Sequence, residues 1–108
     1  MAIRGYHAHI YFDPGQIEAA RTFARAAHEA FGVPVGHFHT GPVGPHPRGS
    51  CQISLRPEQF ARFAIWAPQA RGGLTIFAHG VSGDDRADHT DYVIWFGPSE
   101  PLDMTIFA

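Results

Sequence analysis

Cysteine is nearly missing: Cys51 stands alone among 108 residues. An internal disulfide is therefore excluded, and the chain suits a reducing, cytoplasmic setting. No run of like charge forms anywhere. Eight basic residues, none of them lysine, against ten acids leave a net charge of −2. There is no basic footprint for nucleic acid. No apolar stretch approaches the ~20 residues a membrane helix needs. The opening "MAIRGYHAHIYFD" has no apolar segment of the kind a secretory signal carries. Repeats, low-complexity tracts and linkers are also absent. These absences exclude a nucleic-acid binder, a membrane protein and a disulfide-stapled secreted scaffold.

What remains is 44% hydrophobic and 17% charged, an ordinary composition for one folded domain over residues 1–108. The unusual component is histidine, eight residues in all. Histidine is the commonest metal ligand and the usual proton carrier near neutral pH.

"YHAHIYF" (6–12) alternates with period two and predicts a strand. His7, His9 and Tyr11 share one face; Ala8, Ile10 and Phe12 share the other. Asp13 and Pro14 then predict a helix start. The stripe Ile17, Ala20, Phe23, Ala24, Ala27 and Phe31 carries that helix to Gly32. "PVGHFHT" (34–40) reads as a second strand with His37 and His39 on one face. "SCQISL" (50–55) is a third, with Cys51, Ile53 and Leu55 inward. Pro57 opens a second helix through Phe60, Phe63, Ala64 and Ala67. Pro68 is expected to kink or end it, with Gly72 and Gly73 closing it. "LTIFAH" (74–79) alternates again: Leu74, Ile76 and Ala78 inward, Thr75, Phe77 and His79 outward. "DYVIWF" (91–96) is a last strand, and "PSEPLDMTIFA" an irregular arm or short edge strand.

The order predicts an α+β, ferredoxin-like βαββαβ sandwich with an extra C-terminal strand. Both helices cover one sheet face, and the other carries histidines and aromatics. Such a face calls for a cavity or a second copy over it, so a homodimer is expected. In the strand order 4-1-3-2, strand 6–12 is central. Strand 74–79 runs antiparallel to it, which brings His79 to His7 and His9. Strand 50–55 is expected to run parallel to it, so the loop feeding that strand lies at the same end. That loop is "PVGPHPRG" (42–49), whose prolines and glycines preset a stiff path around one imidazole, His46. It is read as aiming His46 at a site formed by His7 or His9 and His79.

Plainer readings stand beside this one. Strand histidines are often half-buried polar residues, His28 lies on a helix flank facing water, and His37 and His39 suit an edge strand. Asp88 and His89 in "GDDRADHT" could hold backbone amides. Cys51 fits a small core residue. The convergence of several segments favours the functional reading, not any one motif.

"YHAHIYFD", "PVGPHP", the strand-end His79, and "GDDRADHT" followed by "WFG" together resemble the DOPA 4,5-dioxygenase family, across about residues 6–97. The resemblance implies extradiol cleavage of a catechol with O₂ at a non-haem ferrous site. It marks His7, His9, His46, His79 and His89 as active-site histidines. Two positions depart from the family pattern: Gly80 replaces a proline common after the strand-end histidine, and His37 replaces a basic residue.

Because the sheet face offers no obvious carboxylate, an all-imidazole set of His9, His46 and His79 is expected to hold Fe(II), or Zn(II) in a purified sample. His7 and His89 are expected as acid and base. Tyr11, Phe77 and Trp95 are expected to wall a small aromatic substrate. A non-catalytic histidine-rich metal- or small-molecule-binding module, and a plain dimerising domain, are the alternatives. Oxygen uptake with catechols separates the first reading from both.

Overall fold

The computed structural model describes residues 2–107; Met1 and Ala108 of the expected 1–108 domain lie outside the described residues. Four strands form one antiparallel sheet: β1 (Gly5–Phe12), β2 (Gly49–Leu55), β3 (Thr75–Val81) and β4 (Val93–Phe96), in the order β2-β1-β3-β4. Two long helices, α1 (Ile17–Phe31) and α2 (Pro57–Ala70), follow β1 and β2, and a short α3 (Asp85–Asp88) precedes β4. Single 3-10 turns occupy Pro14–Gln16 and Met104–Phe107.

Each long helix begins with the same device. The Asp13 N–H donates to Gln16 Oε1 at 3.0 Å before α1, and the Arg56 N–H donates to Gln59 Oε1 at 2.8 Å before α2. A proline follows directly in both cases, where its missing N–H costs no helix bond. Gly32 ends α1 in the left-handed conformation, φ +69°, with its N–H on the His28 carbonyl. Gln59 then joins the helices, donating from Nε2 to the Phe31 carbonyl at 3.0 Å. Pro68 does not end α2, which runs to Ala70. It sits in the last turn, and the Arg71 N–H still reaches the Ala67 carbonyl at 3.0 Å.

The core lies between the helices and one sheet face. Ala8, Ile10 and Phe12 of β1 meet Ile53, Ile76 and Ala78, with Phe23 and Phe63 from the helices, all buried. Alternation then sends His7, His9 and Tyr11 to the opposite face.

The α+β architecture is the expected one, with two corrections. Segment 34–40 is not a full strand; two isolated bridges, Val35 to Ile53 and His39 to Ser50, lay it along the outer edge of β2. And β2 runs antiparallel to β1, not parallel. The reason is the Pro/Gly loop, which folds the chain back on segment 34–40 as a hairpin and so reverses β2. The loop therefore enters at the Tyr11 end of β1, because Tyr11 pairs with Ser50 and Phe12 with Gly49.

Gly49 has no room for a side chain: a Cβ would lie 2.9 Å from the Phe12 carbonyl oxygen and 3.0 Å from that of His39. Both are backbone atoms held in the sheet. Gly49→Ala should lower stability by about 1–3 kcal/mol, as overpacking does. Urea denaturation checks this; an unchanged midpoint would mean the hairpin stem is looser than its geometry.

Candidate active site

The site begins with register. β1 pairs with β3 so that His7 stands opposite His79 and His9 opposite Phe77. The imidazoles of His7, His9 and His79 come together, each offering a ring nitrogen within 4.8 Å of the others. The closest approach is His9 Nε2 to His79 Nε2, 3.1 Å. His79 donates from Nδ1 to the Gly80 carbonyl at 2.9 Å, which leaves its Nε2 as an acceptor. His9 therefore carries the shared proton on Nε2.

The other two expected histidines arrive on separate segments. In the Pro/Gly loop the His46 N–H returns to the Val43 carbonyl at 3.0 Å, and Gly44 takes φ +54° inside that turn. This folds His46 over the sheet until its ring centre is 4.2 Å from that of His9. Its Nδ1 meets the Tyr11 hydroxyl at 2.8 Å. His89 follows α3, with its ring 4.2 Å from His79 and its Nδ1 donating to the Asp85 carbonyl at 2.7 Å. All five histidines line one cavity of about 260 Å³. Its rim includes Gln52, Asp88 and Phe107. A second cavity of about 360 Å³ shares His9 and His46 and is bordered by the exposed His37 and His39.

Two of the expected roles meet a different geometry. His46 lies beside the gathered trio of His7, His9 and His79 and does not belong to it. The strand that carries His46 in runs the other way, so the ring reaches the site across Tyr11. Tyr11 and Phe77, expected as substrate walls, are fully buried and do not line the cavity. With Trp95, 4.6 Å from Phe77 between ring centres, they form a layer beneath the histidines. Phe77 touches His9, His46, His79 and His89 in turn, at centroid distances of 5.5–6.3 Å.

The chain's own loop and tail cover part of this face, and Phe107 packs 4.5 Å from His89. The cover is tied down at two points. The Asp103 N–H donates to the Pro45 carbonyl at 2.9 Å. Arg48 makes a bidentate pair with Glu100, at 3.0 and 2.8 Å, and reaches Asp13 at 3.3 Å. Its guanidinium lies 5.9 Å over the Tyr11 ring. Sequence reasoning missed this clamp, since nothing local links Arg48 with a residue 52 positions away.

Asp88 is buried at 2% exposure, and its carboxylate accepts the Ser82 N–H at 3.0 and 3.2 Å and the Ser82 hydroxyl. The plain reading of Asp88 as a loop holder is therefore correct. Cys51 is a core residue whose Sγ–H donates to the Gly36 carbonyl, with burial pushing its thiol up to about 11. His28 holds the Val33 carbonyl at 2.9 Å beyond the helix end.

Burial dominates the electrostatics. It lowers His46 and His79 to about 4 and His9 well below the usual 6.5; His7 is lowered for the same reason. Neighbouring imidazoles add to the effect, because a second charge here would face the first. Burial also raises Tyr11, so its phenol stays protonated. A cluster of neutral imidazoles whose ring nitrogens converge, once the proton on His9 Nε2 is given up, fits a divalent metal cation.

Fold and cavity together define a small α+β protein whose antiparallel sheet carries a histidine-lined cavity on the face away from the helices. The crystal structure of a "putative dioxygenase" from Nostoc punctiforme PCC 73102 matches with a TM-score of 0.79 at 36% identity, over 93% of this chain and 87% of that one. The chain belongs to the Dopa 4,5-dioxygenase family, whose model matches residues 6–106. It is 32% identical to the DOPA 4,5-dioxygenase of Amanita muscaria over 94% of its own length. It is 34% identical to an uncharacterized 21.2 kDa protein of Botryotinia fuckeliana over 96% of its length. The chain spans 49% and 64% of those two relatives. No helix among the described residues is long and apolar enough to cross a membrane.

The lowered imidazole values set a pH dependence. Above about pH 7 the buried His9, His46 and His79 are neutral in both folded and unfolded chains and add no pH dependence. Below 6.5 the unfolded chain takes up protons that His46 and His79 refuse until about pH 4, and buried His9 is held down in the same direction. Stability of the metal-free protein should therefore fall as pH drops from 6.5 through 4. Urea midpoints at about pH 7.5 and about pH 5 test the sign. An equal or higher midpoint at the lower pH would contradict the buried neutral cluster.

Proposed function

We propose that the chain is an extradiol ring-cleaving dioxygenase acting on a catechol with O₂, using Fe(II) held by His7, His9 and His79. The observation that carries this is the His9–His79 contact: two imidazole Nε2 atoms 3.1 Å apart, with a third imidazole nitrogen within 4.8 Å. That separation is what two ligands on one ion require, since metal–imidazole bonds of about 2.1 Å at right angles put their nitrogens about 3 Å apart. The Gly80 carbonyl holds the His79 tautomer, the usual orienting partner of a ligating histidine. When bound, Fe(II) supplies the open positions at which catecholate oxygens and O₂ meet.

The remaining side chains handle protons and position. His89 keeps Nε2 as an acceptor because Nδ1–H is spent on the Asp85 carbonyl. It stands 4.2 Å from His79 and is placed to take a hydroxyl proton as the catechol enters. The Tyr11 phenol, kept protonated by burial, donates to His46 Nδ1. The His46 proton then sits on Nε2, which makes that ring a donor toward the cavity and not a ligand. The loop and tail cover part of the cavity, and the aromatic layer packs beneath the imidazoles. Neutral ligands leave the full charge of the ion to favour a catecholate.

The reading is tested by anaerobic reconstitution with Fe(II), followed by O₂ uptake and the yellow ring-opened product from a panel of catechols. His9→Ala and His79→Ala should lose iron in a metal assay. His46→Ala and His89→Ala should keep iron and slow ring opening by roughly 10²–10⁴-fold, the span for a lost acid or base. Iron loss from His46→Ala would return that residue to the ligand set. No O₂ uptake by the iron-loaded protein with any catechol would overturn the proposal.

A further inference from the structure

His37 and His39 take no part in the cluster described above. Both are exposed, on the segment 34–40 that runs along the outer edge of β2. In an extended backbone, residues two apart share a face. Phe38, between them, packs toward the core, with its ring centre 6.0 Å from that of Phe12. The backbone is tied at three points. The Gly36 N–H donates to the Gln52 carbonyl at 2.8 Å, the His39 N–H to the Ser50 carbonyl at 2.9 Å, and the Ser50 N–H to the His39 carbonyl at 3.0 Å. On this fixed stem the two imidazoles stand edge to face, with ring centres 4.7 Å apart and planes at 75°. Neither ring has a hydrogen-bond partner among the described residues. Both border the cavity of about 360 Å³, whose lining holds Ser50 and Gln52 but no carboxylate or guanidinium.

We infer that His37 and His39 form a second cation site, separate from His7, His9 and His79, for an imidazole-preferring divalent ion such as Zn(II). Two imidazoles on one ion, with bonds of about 2.1 Å, put their ring centres about 4.5–5.2 Å apart over bond angles of about 90–109°. The observed spacing falls in that span, so the backbone is already in place and only ring rotation remains to aim the nitrogens. Water completes the coordination, since the pair lies at the surface. No hydrogen bond within the protein has to be given up, whereas His9 and His79 must first release the proton they share. The lining has no acidic oxygen, so Mg(II) and Ca(II), which seek carboxylates, gain nothing here. The cavity also borders His9 and His46, which sets the outer ion beside the inner cluster without drawing on the inner trio. This site is independent of the catechol reading.

The test is calorimetric titration of Zn(II) into the untagged, metal-free protein. His37→Gln and His39→Gln should each take up one equivalent fewer than the wild type, or hold that equivalent about tenfold or more weakly. The affinity of any inner equivalent should not change. His79→Ala should keep the outer equivalent. Both outer positions are exposed, so the glutamine variants should fold, and circular dichroism checks that they do. Millimolar Mg(II) should leave the outer equivalent bound. If either glutamine variant matches the wild type in stoichiometry and affinity, or if Mg(II) displaces the outer equivalent, the second site is wrong. Neither result touches the inner cluster, whose iron is read by the His9 and His79 variants.

Discussion

The register between β1 and β3 carries the site. It sets His7 opposite His79 and brings His9 within reach of the same point. Side chains alternate across a strand, so a slip of one residue would send His79 to the helix side and bring Ala78 to the cavity. The register is held from the other face. Ala8, Ile10, Ile76 and Ala78 are completely buried beneath α1 and α2, and a slip would put histidines into that apolar layer. The helices take no part in the chemistry. Their packing determines which imidazoles can meet.

Burying so many imidazoles has consequences. His7, His9, His46 and His79 are each held toward the neutral form, and a neutral ring needs its proton placed. Nearby carbonyls do this for two of the rings: Gly80 for His79 and Asp85 for His89. The Tyr11 hydroxyl does it for His46. On the proposed function, this cluster would exchange the one proton between His9 and His79 for a cation. Binding a metal would then strengthen the fold as well as equip it, because the ion binds only where the folded chain has assembled its ligands.

The roof is the least regular part of the molecule, and it is held by charge and backbone contacts. Arg48 ties the histidine loop to the C-terminal arm through Glu100 and to the start of the first helical turn through Asp13. Phe107 and Ile106 then lie at the cavity rim. On the proposed function, substrate would enter past this cover or from the end of the sheet at His7.

Much of this was legible in the residues. Period-two alternation placed His7, His9 and Tyr11 on one face and Ala8, Ile10 and Phe12 on the other. Proline and glycine punctuation marked both long helices, and the histidine count pointed to a metal or proton site. The meeting of His7, His9 and His79 also followed from strand order, whereas His46 was expected there on a strand direction that is reversed in the fold and His89 on the resemblance alone. Local pattern could not decide strand direction. Direction depends on whether segment 34–40 folds back as a hairpin, and that is a contact between residues such as Val35 and Ile53. Nor could it separate the layer that touches substrate from the layer beneath it. Tyr11, Phe77 and Trp95 read as cavity walls because their face was known and their depth was not. Depth is set by what the loop and the tail place above them. The Arg48–Glu100 pair likewise exists only where distant segments meet. The sequence determined the chemistry available to each face; tertiary packing decided which groups meet, because meeting depends on register, direction and cover, all non-local.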